Sequence, residues 1–164
     1  MRVGLISDTH GLLRPEALGF LAGCDHIVHG GDIGKAEILD RLAEIAPLTV
    51  VRGNNDRDAW AADIPPTATL RFGALALYAI HDLKELDIDP VAAGVRVIVS
   101  GHSHKPACAE RGGVLYINPG SAGRRRFSLP ISCAELIIDG GRVSPRIVTL
   151  LGPWTRAHGE GEMP

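Results

Sequence analysis

Aromatic side chains are scarce in this 164-residue chain: three Phe, two Trp and two Tyr, 4% in all. Its core must therefore be aliphatic. Cysteine is also sparse. Cys24, Cys108 and Cys133 make an odd number with no CxxC spacing, which argues against a disulfide framework and a cysteine-ligated structural zinc, and each is expected to be a small core residue. No apolar run approaches the ~18 residues of a membrane span. The opening Met-Arg-Val-Gly-Leu-Ile reads as the start of a strand, not as a signal peptide with a cleavage site. The expected setting is a reducing, cytoplasmic compartment with no membrane association. A basic excess is missing too: 17 Lys and Arg face 19 Asp and Glu, for a formal net charge of −2. That balance argues against a general nucleic-acid or membrane-surface binder and leaves nucleic acid only as a substrate.

What the chain does have is 45% hydrophobic residues together with 20 Gly and 11 Pro, a mixture that points to a packed domain with many tight turns rather than disorder. Its seven His equal Phe, Trp and Tyr combined. The length fits one domain, expected over residues 1–151, with a Gly-, Pro- and Glu-rich tail at 152–164 expected to fray.

The first third alternates between strand and helix. Residues 2–7 form an apolar strand, 15–21 a short helix and 24–28 a second strand. Residues 35–45 carry apolar side chains at helical period up to the breaker Pro47, and 49–51 form a third strand. Such alternation implies parallel strands with crossover helices, whose ligands bind beyond the carboxyl ends of the strands. Further strands are expected at 68–72, 75–80, 95–99, 114–117, 133–138 and 143–150, with hairpin turns at Gly73-Ala74 and Asp139-Gly140-Gly141-Arg142 and one helical stretch at 89–93. The second half should therefore be a largely antiparallel sheet packed on the first.

Five segments just after apolar strands hold nearly all the metal-binding side chains: Asp8-Thr9-His10, Gly31-Asp32, Gly53-Asn54-Asn55-Asp56, Ile80-His81-Asp82 and Gly101-His102-Ser103-His104. Side chains at i and i+2 of an extended segment face one way, so Asp8 and His10 can meet one ion, as can His102 and His104. Two carboxylates, one amide and four imidazoles make a mixed oxygen and nitrogen field that suits Mn²⁺, Fe, Zn²⁺, Co²⁺ or Ni²⁺ better than Ca²⁺. Seven ligands are too many for one tetrahedral ion and fit two ions with a shared carboxylate. A pair ~3.5 to 4 Å apart suits in-line displacement at phosphorus.

The ordered pattern Asp8-x-His10, Gly31-Asp32, Gly53-Asn54, His81 and Gly101-His102-x-His104 resembles the calcineurin-like metallophosphoesterase superfamily, from residue 1 to about residue 150. Within it the chain is most similar to the small single-domain phosphodiesterases of bacterial and archaeal type, which also carry an Asn-Pro-Gly-Ser motif like Asn118 to Ser121. The resemblance implies an α/β fold, a four-layer αββα sandwich of two mixed sheets. It implies that Asp8, His10, Asp32 and His104 bind one metal and that Asp32, Asn54, His81 and His102 bind the other. Asp32 bridges the two, and Asp32, Asn54 and His81 act in catalysis through the metals. Two divalent ions are implied, Mn²⁺ foremost, with a bridging hydroxide that attacks a small phosphate-ester substrate, a phosphodiester before a phosphomonoester.

Two positions depart from the pattern. Asn55 stands where nuclease-like and protein-phosphatase-like members have a His thought to protonate the leaving group; small members often lack it too, so inactivity does not follow, but an amide supplies no proton near pH 7 and esters with good leaving groups should be preferred. Asp82 follows His81 where many members have Gly, which would let it accept a hydrogen bond from an imidazole. Arg125 and Arg126, in the run from Arg124, are candidate substrate-binding residues, although a solvated charged loop is the plainer reading. His29 could orient a ligand or simply hold its strand, His26 and His158 read as surface residues, and Asn118 and Ser121 as loop-shaping ones. A non-catalytic protein-interaction scaffold on the same fold, as in the retromer subunit, is the alternative, and homo-oligomerisation is open because similar small members self-associate.

Overall fold

The alternation of the first strand decides the layering. In the computed structural model, which describes residues 1–152, β1 (Arg2–Ile6) turns Val3 and Leu5 to one side and Ile6 to the other. Val3 and Leu5 enter an aliphatic seam between two five-stranded sheets, where they meet Leu77, Val97, Val99 and Leu136. Each fully buried side chain of this kind stabilises the fold by roughly 1.5–3 kcal/mol. The outer side of β1 faces α1 (Pro15–Leu21) and α2 (Ala36–Ala43), which dock through Ala17, Leu21, Ile38 and Leu42. Pro15 opens α1 at a position whose missing N–H has no intrahelical partner to lose.

Beside β1 lies β2 (His26–His29) and then β3 (Leu48–Val50), all parallel. The second sheet holds β4 (Thr67–Phe72), β5 (Leu75–Ile80), β6 (Val97–Val99), β7 (Ala107–Arg111) and β8 (Val114–Asn118), in the order β4-β5-β6-β8-β7. The last two strands, β9 (Ile131–Asp139) and β10 (Arg142–Leu151), return to the first sheet and complete the order β10-β9-β1-β2-β3. Two mixed sheets are thus present as expected, but the second is not largely antiparallel: β5, β6 and β8 run parallel, with antiparallel pairs only at its edges. Both expected hairpins form, with Phe72 opposite Leu75 and Asp139 opposite Arg142.

The outer layer of the second sheet is thin. Tyr78, Ile80 and Ile98 are covered by Leu83, Leu86 and Ile88, from a 3₁₀ turn at Leu83–Glu85 and the chain after it. The helix expected at 89–93 is a single turn: Asp89 Oδ1 accepts the amides of Val91 and Ala92, and Gly94 at φ +69° ends it. A segment closed off so soon has no room for a second helical turn. β7 was not expected; its five residues are all exposed and carry little apolar signal. Cys24 and Cys133 are buried as expected, but Cys108 lies on β7 and is exposed. No helix among the described residues is long and apolar enough to cross a membrane. The tail from residue 153 and His158 lie outside the described residues.

Candidate metal centre

The carboxyl ends of β1, β2, β3, β5 and β6 meet at one edge of the sandwich, and the loops leaving them carry the seven residues singled out in the sequence. Among the described residues, six without glycine's freedom have positive φ: Asp8, His10, Asp32, His102, His104 and Phe127, between 45° and 66°. Five of the six are expected ligands. Each such residue costs on the order of 1–3 kcal/mol and persists only where its surroundings over-determine it.

Those surroundings are identifiable. Asp8 N–H donates to Gly31 O at 3.0 Å and His10 N–H to Asp32 O at 2.9 Å, which ties the first two loops together. Asp56 accepts from Gly34 N–H and Gly53 N–H, at 3.0 and 2.9 Å, and ties the second loop to the third. Asn118 donates to Gly101 O at 2.6 Å, and Ser121 Oγ donates to Asp8 O at 2.9 Å, so both shape loops as expected. Two glycines are needed for space: a Cβ at Gly53 would strike the Asp32 carboxylate, and one at Gly101 would strike Ser7 Oγ and Asp8 Oδ2.

The side chains converge as two adjoining groups. In the first, Asp8 Oδ1 lies 3.2 Å from His104 Nε2 and 3.8 Å from His10 Nε2, and the two imidazole nitrogens face each other at 3.1 Å across stacked rings. In the second, Asn54 Oδ1 lies 3.2 Å from His81 Nε2 and 3.0 Å from His102 Nδ1. Asp32 stands between them: its Oδ2 is 3.6 Å from His10 Nε2 and its Oδ1 is 3.4 Å from His81 Nε2. One carboxylate thus turns an oxygen to each group.

A cation fits these donors. Asp8 Oδ2 accepts from Ser7 Oγ–H at 2.6 Å and from His102 N–H at 3.1 Å, whereas the buried Oδ1 has no hydrogen-bond partner. An unpartnered carboxylate oxygen in the interior is expensive, and a cation between it and His10 and His104 would satisfy it. In the second group, the His81 Nδ1–H donates to Gly30 O at 2.7 Å, which fixes the tautomer and leaves Nε2 free to ligate.

Electrostatics agree. Burial alone would raise the Asp32 carboxyl, yet hydrogen bonds from His81 and Asn55 outweigh it and hold Asp32 well below the usual carboxylate range. Burial likewise opposes the charge on His81, but Asp32 pulls its pKa up to about 9. The excess negative potential that draws a proton to His81 also attracts a cation. His10 moves the other way, lowered chiefly by burial.

The remaining expected residues sort clearly. Asn55 donates its backbone N–H to Asp32 Oδ1 at 2.9 Å and its amide Nδ2–H to Oδ2 at 2.6 Å, and so holds the shared carboxylate. Asp82 Oδ2 lies 3.5 Å from His102 Nε2, while its Oδ1 accepts from Lys84 N–H. His29 is fully buried; its Nδ1 accepts from Gly31 N–H, which puts the ring proton on Nε2 facing Thr9 Oγ1 at 3.0 Å. His26 is not a free surface residue: it is half-buried, 2.9 Å from Thr49 Oγ1 and edge-on to Phe72. Arg125 donates to Leu129 O within its own loop, and the charge of the exposed Arg126 reaches His10. Sequence reasoning missed Ser7, which holds Asp8, and saw Asp56 only as part of its segment, not as the brace of a loop. It also missed a cleft of about 600 Å³ that opens beside His102.

Residues 1–141 match the model of the calcineurin-like phosphoesterase superfamily domain. A probable metallophosphoesterase of Methanothermobacter thermautotrophicus is 31% identical, over 96% of this chain and 97% of its own. Among solved structures, an archaeal phosphodiesterase superposes with a TM-score of 0.71 at 21% identity, covering 90% of this chain and all of that one. Vps29 of Entamoeba histolytica in complex with Zn²⁺ superposes with a TM-score of 0.72 at 22% identity, covering 92% and 99%. The ordered motifs, the two mixed sheets and these likenesses agree, and the chain belongs to the calcineurin-like phosphoesterase superfamily.

Proposed function

We propose that the chain is a metal-dependent phosphodiesterase whose two divalent ions are held by Asp8, His10, Asp32 and His104 on one side and Asp32, Asn54, His81 and His102 on the other. The observation that carries the reading is the buried, unpartnered Asp8 Oδ1 facing two imidazole nitrogens, directly beside a second donor group that shares Asp32. Two divalent cations would lower the pKa of a water towards neutrality and polarise the phosphoryl oxygens. Mn²⁺ is the first choice and Fe, Zn²⁺, Co²⁺ and Ni²⁺ are the alternatives, since the donor set admits all of them.

The protein's own residues do the rest. Asn55 orients Asp32 through two hydrogen bonds, the Gly30 carbonyl orients His81, and Asp82 faces the outer nitrogen of His102. The Asn55 amide is engaged with Asp32 and has no acidic proton, so it does not protonate a departing alkoxide. Good leaving groups are favoured as a result. The cleft beside His102 leaves room for the second ester arm that distinguishes a diester from a monoester.

The test is metal analysis with hydrolysis of bis(4-nitrophenyl) phosphate and 4-nitrophenyl phosphate by Mn²⁺-loaded protein. Two ions per chain and faster turnover of the diester are expected. Fully loaded protein inert on both esters would leave the scaffold reading that the Vps29-like fold permits. Preference for the monoester would replace the diesterase with a phosphomonoesterase.

A further inference from the structure

The cleft beside His102 lies on the outer face of the second sheet, where among the described residues no α-helix covers it and the 3₁₀ turn at Leu83–Glu85 forms one wall. Its metal-side end is formed by Gly101, His102 and Asn118, and its floor continues along Ala107, Ala109 and Tyr116. The register makes this floor continuous: Ala107 pairs with Asn118, Ala109 with Tyr116 and Arg111 with Val114 across the antiparallel β7–β8 ladder. Directly opposed residues point to the same face, and so do i and i+2 along a strand. Ala107, Ala109 and Arg111 therefore lie in one row beside Asn118, Tyr116 and Val114.

Charge along the cleft is one-sided. Lys84, Lys105 and Arg111 line it, against the single acid Asp82. Asp82 is already engaged, by Lys84 N–H and by His102. No described carboxylate forms a salt bridge with any of the three cations. The Arg111 guanidinium is drawn back over Tyr116, 5.7 Å from the ring centroid. Tyr116 is two strand residues from Asn118, roughly 7 Å at ~3.4 Å per residue. A planar cation is thus held over a ring two ladder positions from the metal-side end, above a floor of small and aromatic side chains.

We propose that this cleft receives one arm of the phosphodiester, an arm about the size of a single nucleoside that carries a second phosphate. The reacting phosphate lies at the metal centre, the body of the arm rests on Ala107, Ala109 and Tyr116, and the second phosphate is met by Arg111 with Lys105 and Lys84. Guanidinium binds phosphate through two parallel N–H donors, and its stacking on Tyr116 restricts the side chain in advance, which lowers the cost of binding. The volume is that of a small-molecule site. This inference rests on the phosphodiesterase reading, and the experiment separates the two.

The probes are thymidine 5′-(4-nitrophenyl phosphate) and the same compound with a 3′-phosphate, which differ by one phosphate and share a leaving group. With Mn²⁺-loaded protein the 3′-phosphate should raise kcat/KM at least tenfold, mainly through KM. In Arg111→Ala the ratio of the two substrates should fall towards one, and in Lys84→Ala it should fall part of the way. The ratio controls for general damage, because both substrates use the same centre. A ratio near one in the unaltered protein, or one that Arg111→Ala leaves in place, overturns the proposal. If neither compound releases 4-nitrophenolate, the phosphodiesterase reading fails by itself, and the cleft is judged by calorimetric binding of thymidine 3′,5′-bisphosphate. Binding at least tenfold weaker to Arg111→Ala then supports it, and equal binding overturns it.

Discussion

The two halves of the candidate metal centre are built from similar side chains on different principles. The half made by Asp8, His10 and His104 is nearly dry: the Asp8 and His104 side chains are buried, and both Asp8 Oδ1 and His104 Nδ1 lack a hydrogen-bond partner. The half made by Asn54, His81 and His102 is wired and wetter. His81 is tied to Gly30, His102 faces Asp82, and 41% of the His102 side chain is exposed. The dry half is strained without an ion, because interior polar atoms go unsatisfied, whereas the wet half largely satisfies itself. The expected consequence is one tightly retained ion and one that exchanges.

The hardest way to break this contrast is to remove the residue that serves both halves. Asp32→Ala takes away the oxygen facing His10 and the oxygen facing His81 together. The expected result is loss of both ions and at least a thousandfold fall in turnover of bis(4-nitrophenyl) phosphate, read by metal analysis and 4-nitrophenolate release. Asp8→Ala should by contrast empty only the dry half. Two ions kept by Asp32→Ala would show that the carboxylate does not join the halves.

A smaller effect sharpens the contrast from the wet side. Asp82 touches the centre only through His102, at 3.5 Å. Outer carboxylates of this kind orient an imidazole ligand, and their loss weakens metal affinity by about 10–100-fold. Asp82→Ala should therefore weaken the exchangeable ion by roughly tenfold, near the low end because the contact is long and partly exposed, and leave the retained ion unmoved. Titration of metal-free protein with Mn²⁺, followed by calorimetry, separates the two steps. Equal weakening of both would mean that the halves are not independent.

The same division explains what could be read from sequence. The convergence of the seven candidate residues was legible because each follows an apolar strand, but its detail was not: Asp8 and His10 meet through left-handed backbone rather than an extended segment, and His102 and His104, expected to share an ion, turn to different groups. The layering of β1 to β3 with α1 and α2 was legible for the same reason, as periodicity reports burial. The outer face of the second sheet was not. β7 is exposed and reads Ala-Cys-Ala-Glu-Arg, with no alternation to reveal a strand. The turn at Asp89 resembles a helix start until its hydrogen bonds are seen to close after one turn. Lys84, Lys105 and Arg111 become neighbours of one cleft only through sheet pairing, which no local pattern encodes. Ser7 and the bracing role of Asp56 went unnoticed because a residue that holds a neighbour or a loop in place has no motif of its own.

The last expected effect is on stability, not metal binding, and concerns what braces the dry half from behind. His29 links the loop of Asp8 and His10 to that of Asp32, with Nδ1 accepting from Gly31 N–H and Nε2 facing Thr9 Oγ1, which in turn donates to Ile33 O. Full burial lowers its pKa from 6.5 to about 4. The unfolded chain therefore binds a proton near pH 6.5 that the folded chain refuses until about pH 4. Stability from this group is complete above about pH 7, declines as pH falls below 6.5 and is lost by about pH 4. At about 1.4 kcal/mol per pH unit the total is ~3 kcal/mol. His29→Gln abolishes the titration but keeps an amide of similar reach. Urea midpoints of metal-free protein at pH 8, 6 and 4.5 should fall more steeply for the unaltered chain than for the variant. His10 and His26, whose pKa values burial also lowers, contribute to both curves and cancel in the difference. Parallel curves would mean that His29 does not carry the proton linkage, and that the dry half is braced by Asp56 and the backbone alone.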